Sequence, residues 1–204
     1  VAITDHGVLF GAVDFHDKAR SAGLKPIIGC EVYVAPREME LKKQVVGEPN
    51  YYHLVLLAMN YQGYRNLVEL VSLSQRDGIY YKPRVDKRIL KQYNEGLIAL
   101  SACLQGEVPY WLLRGDESKA TAALDFYRAT FDERFYIEVQ ENKLADQNRV
   151  NPLLVDIARR HDLPLVATND CHYLKASDAK AHEALMCIQT QKTLLDKSRM
   201  EFET

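Results

Sequence analysis

Asp170 and His172 form the sharpest local signal in the chain. On an extended segment residues two apart point to one side, so this carboxylate and imidazole would face one site while Cys171 faces away. Such a pair suits Zn2+ or Mn2+. A turn-capping aspartate beside a hydrogen-bonded histidine explains the same pattern. Asp5 and His6 make a second pair after a different strand. Adjacent residues diverge on an extended chain, so one of them at most is a direct ligand. His6 is the choice, and Asp5 is then expected to accept the hydrogen bond that fixes an imidazole tautomer; its plain alternative is a turn or N-cap residue.

Three more residues belong to this group. Glu31 lies in an otherwise apolar strand between Cys30 and Val32, and Glu138 lies likewise in Phe-Tyr-Ile-Glu-Val-Gln. Each is either on a solvated face or paired with a metal or a base, because an unpartnered buried carboxylate is costly. Cys103 closes an apolar run; it is either core or, as a thiolate beside histidines, a good Zn2+ ligand. Of the six histidines, His6, His53 and His172 sit at strand edges and are the ones expected to converge; His16, His161 and His182 fall in or at the end of helices.

Other chemistries lack their motifs. His182-Glu183 is followed by Met186 where a zincin needs its second histidine, and no G-x-S-x-G, P-loop or G-x-G-x-x-G occurs. A basic stretch, Tyr80-Tyr81-Lys82-Pro83-Arg84 with Lys87, Arg88 and Lys91, would suit a single nucleic-acid strand. Within it Arg84 is expected to be a phosphate fork, with Lys82 beside it; a solvated helix face is the alternative.

The elements that must carry these residues alternate. Strands are predicted at 1–4, 26–34, 53–59, 96–102, 135–140 and 164–168. Helices are predicted at 12–22, closed by Gly23, at 61–75, 86–93, 107–130 with a break at 114–116, 147–161, and after a Ser177 cap. A long loop occupies 35–50. Six strands alternating with helices favour a parallel sheet or barrel, with reactive residues at the C-terminal strand ends.

Composition is consistent with that. Of 204 residues, 47% are hydrophobic and 26% charged, so the chain can bury a core and is not a disordered tract. No apolar run approaches the ~18 residues of a membrane span. A net charge of −2 means any nucleic-acid contact must be local. Four cysteines without a C-x-x-C pair suggest a reducing, cytoplasmic setting.

Taken in order, AITDHG (2–7), KPIIGCEVYVAP (25–36), HLVLLAMNYQGYRNLVEL (53–70), YYKPRVD (80–86), EGLIALSACLQGE (95–107), FYIEVQ (135–140), LPLVATNDCHYL (163–174) and AHEALMCIQTQKTL (181–194) resemble one family over essentially the whole chain. It is the PHP (polymerase and histidinol phosphatase) domain found in bacterial DNA polymerase III alpha subunits. The resemblance implies a distorted seven-stranded βα barrel, here expected to be cut ahead of its first strand and before its C-terminal end. It also implies a cluster of up to three ions, with His6, Glu31, His53, Cys103, Asp170 and His172 as six of nine ligands. Gln191 departs from the family, where glycine is expected.

The implied activity is phosphoester hydrolysis of the 3′ to 5′ exonuclease or proofreading kind, in a parent that is a DNA-directed DNA polymerase using Mg2+ elsewhere. The implied partners are DNA, the remaining alpha-subunit domains and a separate proofreading subunit, with no membrane. The alternatives are a scaffold with degenerate chemistry that docks that subunit, and a free-standing phosphatase.

Overall fold

The computed structural model describes residues 1–198. The chain opens with β1 (Ala2–Ile3) and α1 (Ala12–Ser21), and Gly23 closes that helix at φ +72, donating to Arg20 O while Leu24 donates to Ala19 O. β2 (Ile27–Val34) and β3 (Tyr52–Ala58) follow, joined by the long loop. Next come α2 (Tyr61–Arg76), capped by the Asn60 side chain on Gly63 N, and two short strands, β4 (Ile79–Tyr80) and β5 (Lys82–Val85). Asp86 caps α3 (Lys87–Gln92), which leads to β6 (Leu97–Leu100). The expected break at 114–116 separates α4 (Glu107–Leu113) from α5 (Glu117–Phe131). β7 (Phe135–Gln140), α6 (Ala145–Arg160), β8 (Leu165–Thr168) and α7 (Ala179–Thr190) complete the described chain. A 3-10 turn at Ala176–Asp178 precedes α7, and the Asp178 carboxylate accepts from Lys175 N, so the expected Ser177 cap is absent.

The strands form one curled sheet in the order β4-β5-β2-β3-β6-β7-β8, with β1 beside the first half of β2. This is a partial α/β barrel, with two strands more than expected, because β4 and β5 lie inside the basic stretch. It is also mixed, where a parallel sheet was expected. β3 runs antiparallel to both β2 and β6, and β4 to β5, while the β1–β2, β2–β5, β6–β7 and β7–β8 pairs are parallel. The reason is local: no helix lies between β2 and β3, so the chain turns back as a wide hairpin instead of crossing over.

Register assigns each residue a face. Glu31 pairs with Val55, Val55 with Leu100 and Leu100 with Tyr136, giving one row on the inner side. Residues one step away, Val32, Leu54, Leu56, Ala99, Phe135 and Ile137, face outward and are buried in the main core beneath α2, α5 and α6. The inner face holds a smaller apolar floor of Val55, Leu100 and Ala102 with Leu57, Ile98, Tyr136 and Val166. Polar residues lie beyond that floor, toward the C-terminal ends of β2, β6, β7 and β8.

Candidate metal centre

Because β3 is antiparallel, His53 near its start reaches the same end of the barrel as Glu31 late in β2. In the expected parallel sheet it would have lain at the opposite end. Two backbone contacts lay neighbouring loops over these positions. The segment after β1 bridges His6 to Glu31, with Glu31 N donating to Asp5 O and Gly7 N to Glu31 O. Gly7 sits at φ +66, and a Cβ there would meet the Tyr33 ring at 3.0 Å. The segment after β6 bridges Gly106 to His53 in the same way, His53 N donating to Gln105 O at 3.0 Å. A Cβ on Gly106 would lie 1.9 Å from Ser101 O, so only glycine closes this turn. Ala102 within it has φ 61, a costly conformation for a residue with a Cβ, and Cys103 follows directly.

The result is convergence on one carboxylate. Glu31, 6% exposed, receives His53 Nδ1 at hydrogen-bond contact on Oε1, with His6 Nδ1 3.6 Å away and Cys103 Sγ at 4.0 Å. Cys103 Sγ lies 3.5 Å from His53 Nδ1. One ligand atom each from His6, Glu31 and His53 falls within 4.8 Å of the others. Two imidazoles, a carboxylate and a thiol form a mixed N, O and S donor set that fits a divalent transition ion.

Charge follows geometry. Burial pushes the Glu31 carboxyl up, but the His53 hydrogen bond and the charges of His53, His6 and His172 outweigh it, leaving it below its ordinary value. Burial pushes the Cys103 thiol strongly up, and Glu31 adds to this. Burial, with His53 and His172, pulls His6 down against the opposing pull of Glu31 and Asp170. Metal-free, the site therefore favours a neutral His6 and a protonated thiol.

Asp170 and His172 arrive differently from the extended pair expected. Asp170 is at φ 50, so the segment turns after β8, and His172 Nδ1 lies 2.8 Å from Asp170 O. A carbonyl only accepts, so Nδ1 carries a proton toward it. The His172 ring is 6.2 Å from that of His6. Burial raises the Asp170 carboxyl against the pull of His172, and Glu31 adds to the rise.

Several expectations are corrected. Asp5 is exposed, and among the described residues no hydrogen bond joins its carboxylate to an imidazole; its backbone carbonyl takes Cys30 Sγ at 3.2 Å instead. Arg84 is no phosphate fork. It is 2% exposed, and its guanidinium donates to Gly78 O, Asn50 O, Met39 O and Leu41 O at 3.0–3.2 Å while lying 4.9 Å from the Tyr80 ring centroid. Lys82 lies at the site instead, its Nζ 5.6 Å from the Tyr33 ring centroid, and that ring stacks on His6. Glu138 faces inward and is 4% exposed. His182, set aside with the helical histidines, places its ring 5.7 Å from His172, so a helix also contributes to the mouth. Tyr51, stacked on His53 at 5.9 Å, was likewise missed; its place in the long loop gave no signal.

No helix among the described residues is long and apolar enough to cross a membrane. The sequence matches the PHP domain family over residues 1–142. It is 46% identical to DNA polymerase III subunit alpha of Treponema pallidum over 206 residues, covering 100% of this chain and 18% of that protein. It is 46% identical to the Thermus aquaticus protein of the same name (99% and 17%) and 43% identical to that of Deinococcus radiodurans (99% and 15%). The chain thus spans less than a fifth of the length of these relatives. With a partial barrel and a histidine, glutamate and cysteine cluster at one end of it, this chain belongs to the PHP domain family.

Proposed function

We propose that this chain is the PHP portion of a DNA polymerase III alpha subunit, a cytoplasmic replication enzyme, and that its barrel mouth is a metal-dependent phosphoesterase site acting on the 3′ end of DNA. The observation that carries this is the convergence of His6, Glu31 and His53 within 4.8 Å. His6, Glu31, His53 and Cys103 would hold one part of the ion cluster, and Asp170 and His172 another. Zn2+ or Mn2+ fits these donors, and the Mg2+ of DNA synthesis would belong to other parts of the polymerase. Bound ions supply Lewis acidity, lowering the pKa of water and polarising a phosphoryl oxygen.

The chain's own groups do the rest. Glu31, held by His53, presents a carboxylate at neutral pH. The Asp170 carbonyl accepts from His172 Nδ1, so Nε2 is the ring atom that would bind an ion. Lys82 places a cation at the rim beside Tyr33, where a phosphodiester would approach. The rings of Tyr33 and Tyr51, 4.9 Å apart, wall that side against water.

The test is metal content and 3′ to 5′ hydrolysis of single-stranded DNA by the full-length protein. Native protein should retain metal and trim the strand; Glu31→Ala should lose both, and Lys82→Ala should raise KM more than it lowers kcat. Full hydrolysis by Glu31→Ala would overturn the reading. Native protein without metal would leave a scaffold that docks a separate proofreading subunit.

A further inference from the structure

The mechanism above leaves one buried acid unused. Glu138 stands on the inner face of β7, in the polar layer above the apolar floor formed in part by Tyr136 and Val166. Its Oε1 accepts from Thr168 Oγ1 at 2.5 Å and from Gln140 Nε2 at 3.1 Å. Among the described residues its Oε2 has no hydrogen-bond partner and neither does Gln140 Oε1, although both are buried. A buried polar group retained at such cost calls for an explanation beyond packing.

Its placement supplies one. Thr168 is the last residue of β8 and the last paired with β7, opposite Gln140. Two residues later the chain enters the left-handed turn at Asp170 and then reaches His172. β8 is half exposed along its length and, among the described residues, pairs with β7 alone. The Thr168 hydroxyl, bonded to Glu138 Oε1 and 3.5 Å from Gln140 Nε2, is therefore a side-chain tie close to the turn that carries Asp170 and His172.

We propose that Glu138 is a positioning residue of the metal centre, holding the end of β8 through the Thr168 hydroxyl so that Asp170 and His172 meet the ions. This rests on the metal-site reading above. The bond needs an acceptor oxygen and no charge, so glutamine should serve in its place. Removing a partner that orients a ligand typically costs about 10–100-fold in metal affinity.

The test measures Zn2+ affinity of the full-length protein by competition with a chromogenic chelator. Glu138→Leu and Thr168→Val should each weaken binding by about 10–100-fold, and together no more than either alone, because both cut the same link. Glu138→Gln and Thr168→Ser should remain within about threefold of native. Should Glu138→Leu fail to fold, the Thr168→Val and Thr168→Ser pair carries the same comparison. Native affinity in both Glu138→Leu and Thr168→Val would overturn the inference, as would multiplied effects in the double variant or a Glu138→Gln loss equal to that of leucine. Failure of native protein to bind Zn2+ at all would instead overturn the metal-site reading.

Discussion

The two walls of the mouth are built on different terms. On one, Glu31 and His53 project from the central strands β2 and β3, whose opposite faces are sealed into the main core by Val32, Leu54 and Leu56. On the other, Asp170 and His172 hang from the end of β8, where Leu165 is 45% exposed and α7 buries only Cys187. The first wall takes its precision from close packing, which permits few alternative positions. The second takes it from a few polar ties and a strained turn. Side chains that must cooperate at one site therefore have unequal freedom, and the second wall is where local opening is cheapest.

The largest expected effect separates the walls by stability. Leu54→Ala, behind His53, should cost about 2–5 kcal/mol, while Leu165→Ala should cost less than about 0.5 kcal/mol, both by urea unfolding. Equal losses would erase the contrast. Metal affinity comes next. His53→Ala should lower Zn2+ affinity beyond about 100-fold, and His172→Ala by less than that but no less than Glu138→Leu, whose effect passes through it. The reverse order would place the principal ion on the β8 side.

A smaller, pH-dependent effect concerns Glu138. Burial first, then the charges of Glu31 and Asp170, raise its carboxyl above the usual range, while Thr168 and Gln140 pull the other way. Its folded pKa is raised, so its stabilising contribution is full below the unfolded value of about 4.5 and is lost as pH rises through the folded value. Glu138→Gln does not titrate. In chelator, its Tm relative to native should therefore climb as pH rises above about 4.5. A constant offset would mean that the native acid titrates normally.

The smallest effect lies at the far end of α7. Gln191 caps that helix at φ 55 and ψ 41, a left-handed conformation that glycine adopts without penalty. Gln191→Gly should gain up to about 1 kcal/mol. That is also the physical sense of the glycine expected there from the family.

Much of the site was legible because strand ends announce themselves. His6, Cys103 and the Asp170 to His172 segment each follow a short apolar run, and the break at 114–116 and the Gly23 cap are local chemistry. What stayed hidden depends on chain distant in sequence. The face occupied by Glu138 is set by register with β6 and β8. The direction of β3, and with it the end to which His53 points, is set by the absence of a crossover helix. Asp170 defeated the two-residue alternation rule because its backbone leaves the extended region. Arg84 resembled a surface cation because its partners are backbone carbonyls, which carry no signature in the sequence.

Those carbonyls have a consequence of their own. Met39, Leu41 and Asn50 are fastened to Arg84 through atoms that every amino acid possesses. At its exposed positions, such as Lys43, Gln44 and Val46, the loop is thus constrained in its route and not in its lettering. Substitutions at those positions should leave the loop's course intact, and one substitution at Arg84 should loosen the segments around Met39, Leu41 and Asn50 together. Variation in that loop could then retune what the mouth admits without disturbing the residues that would carry out its chemistry.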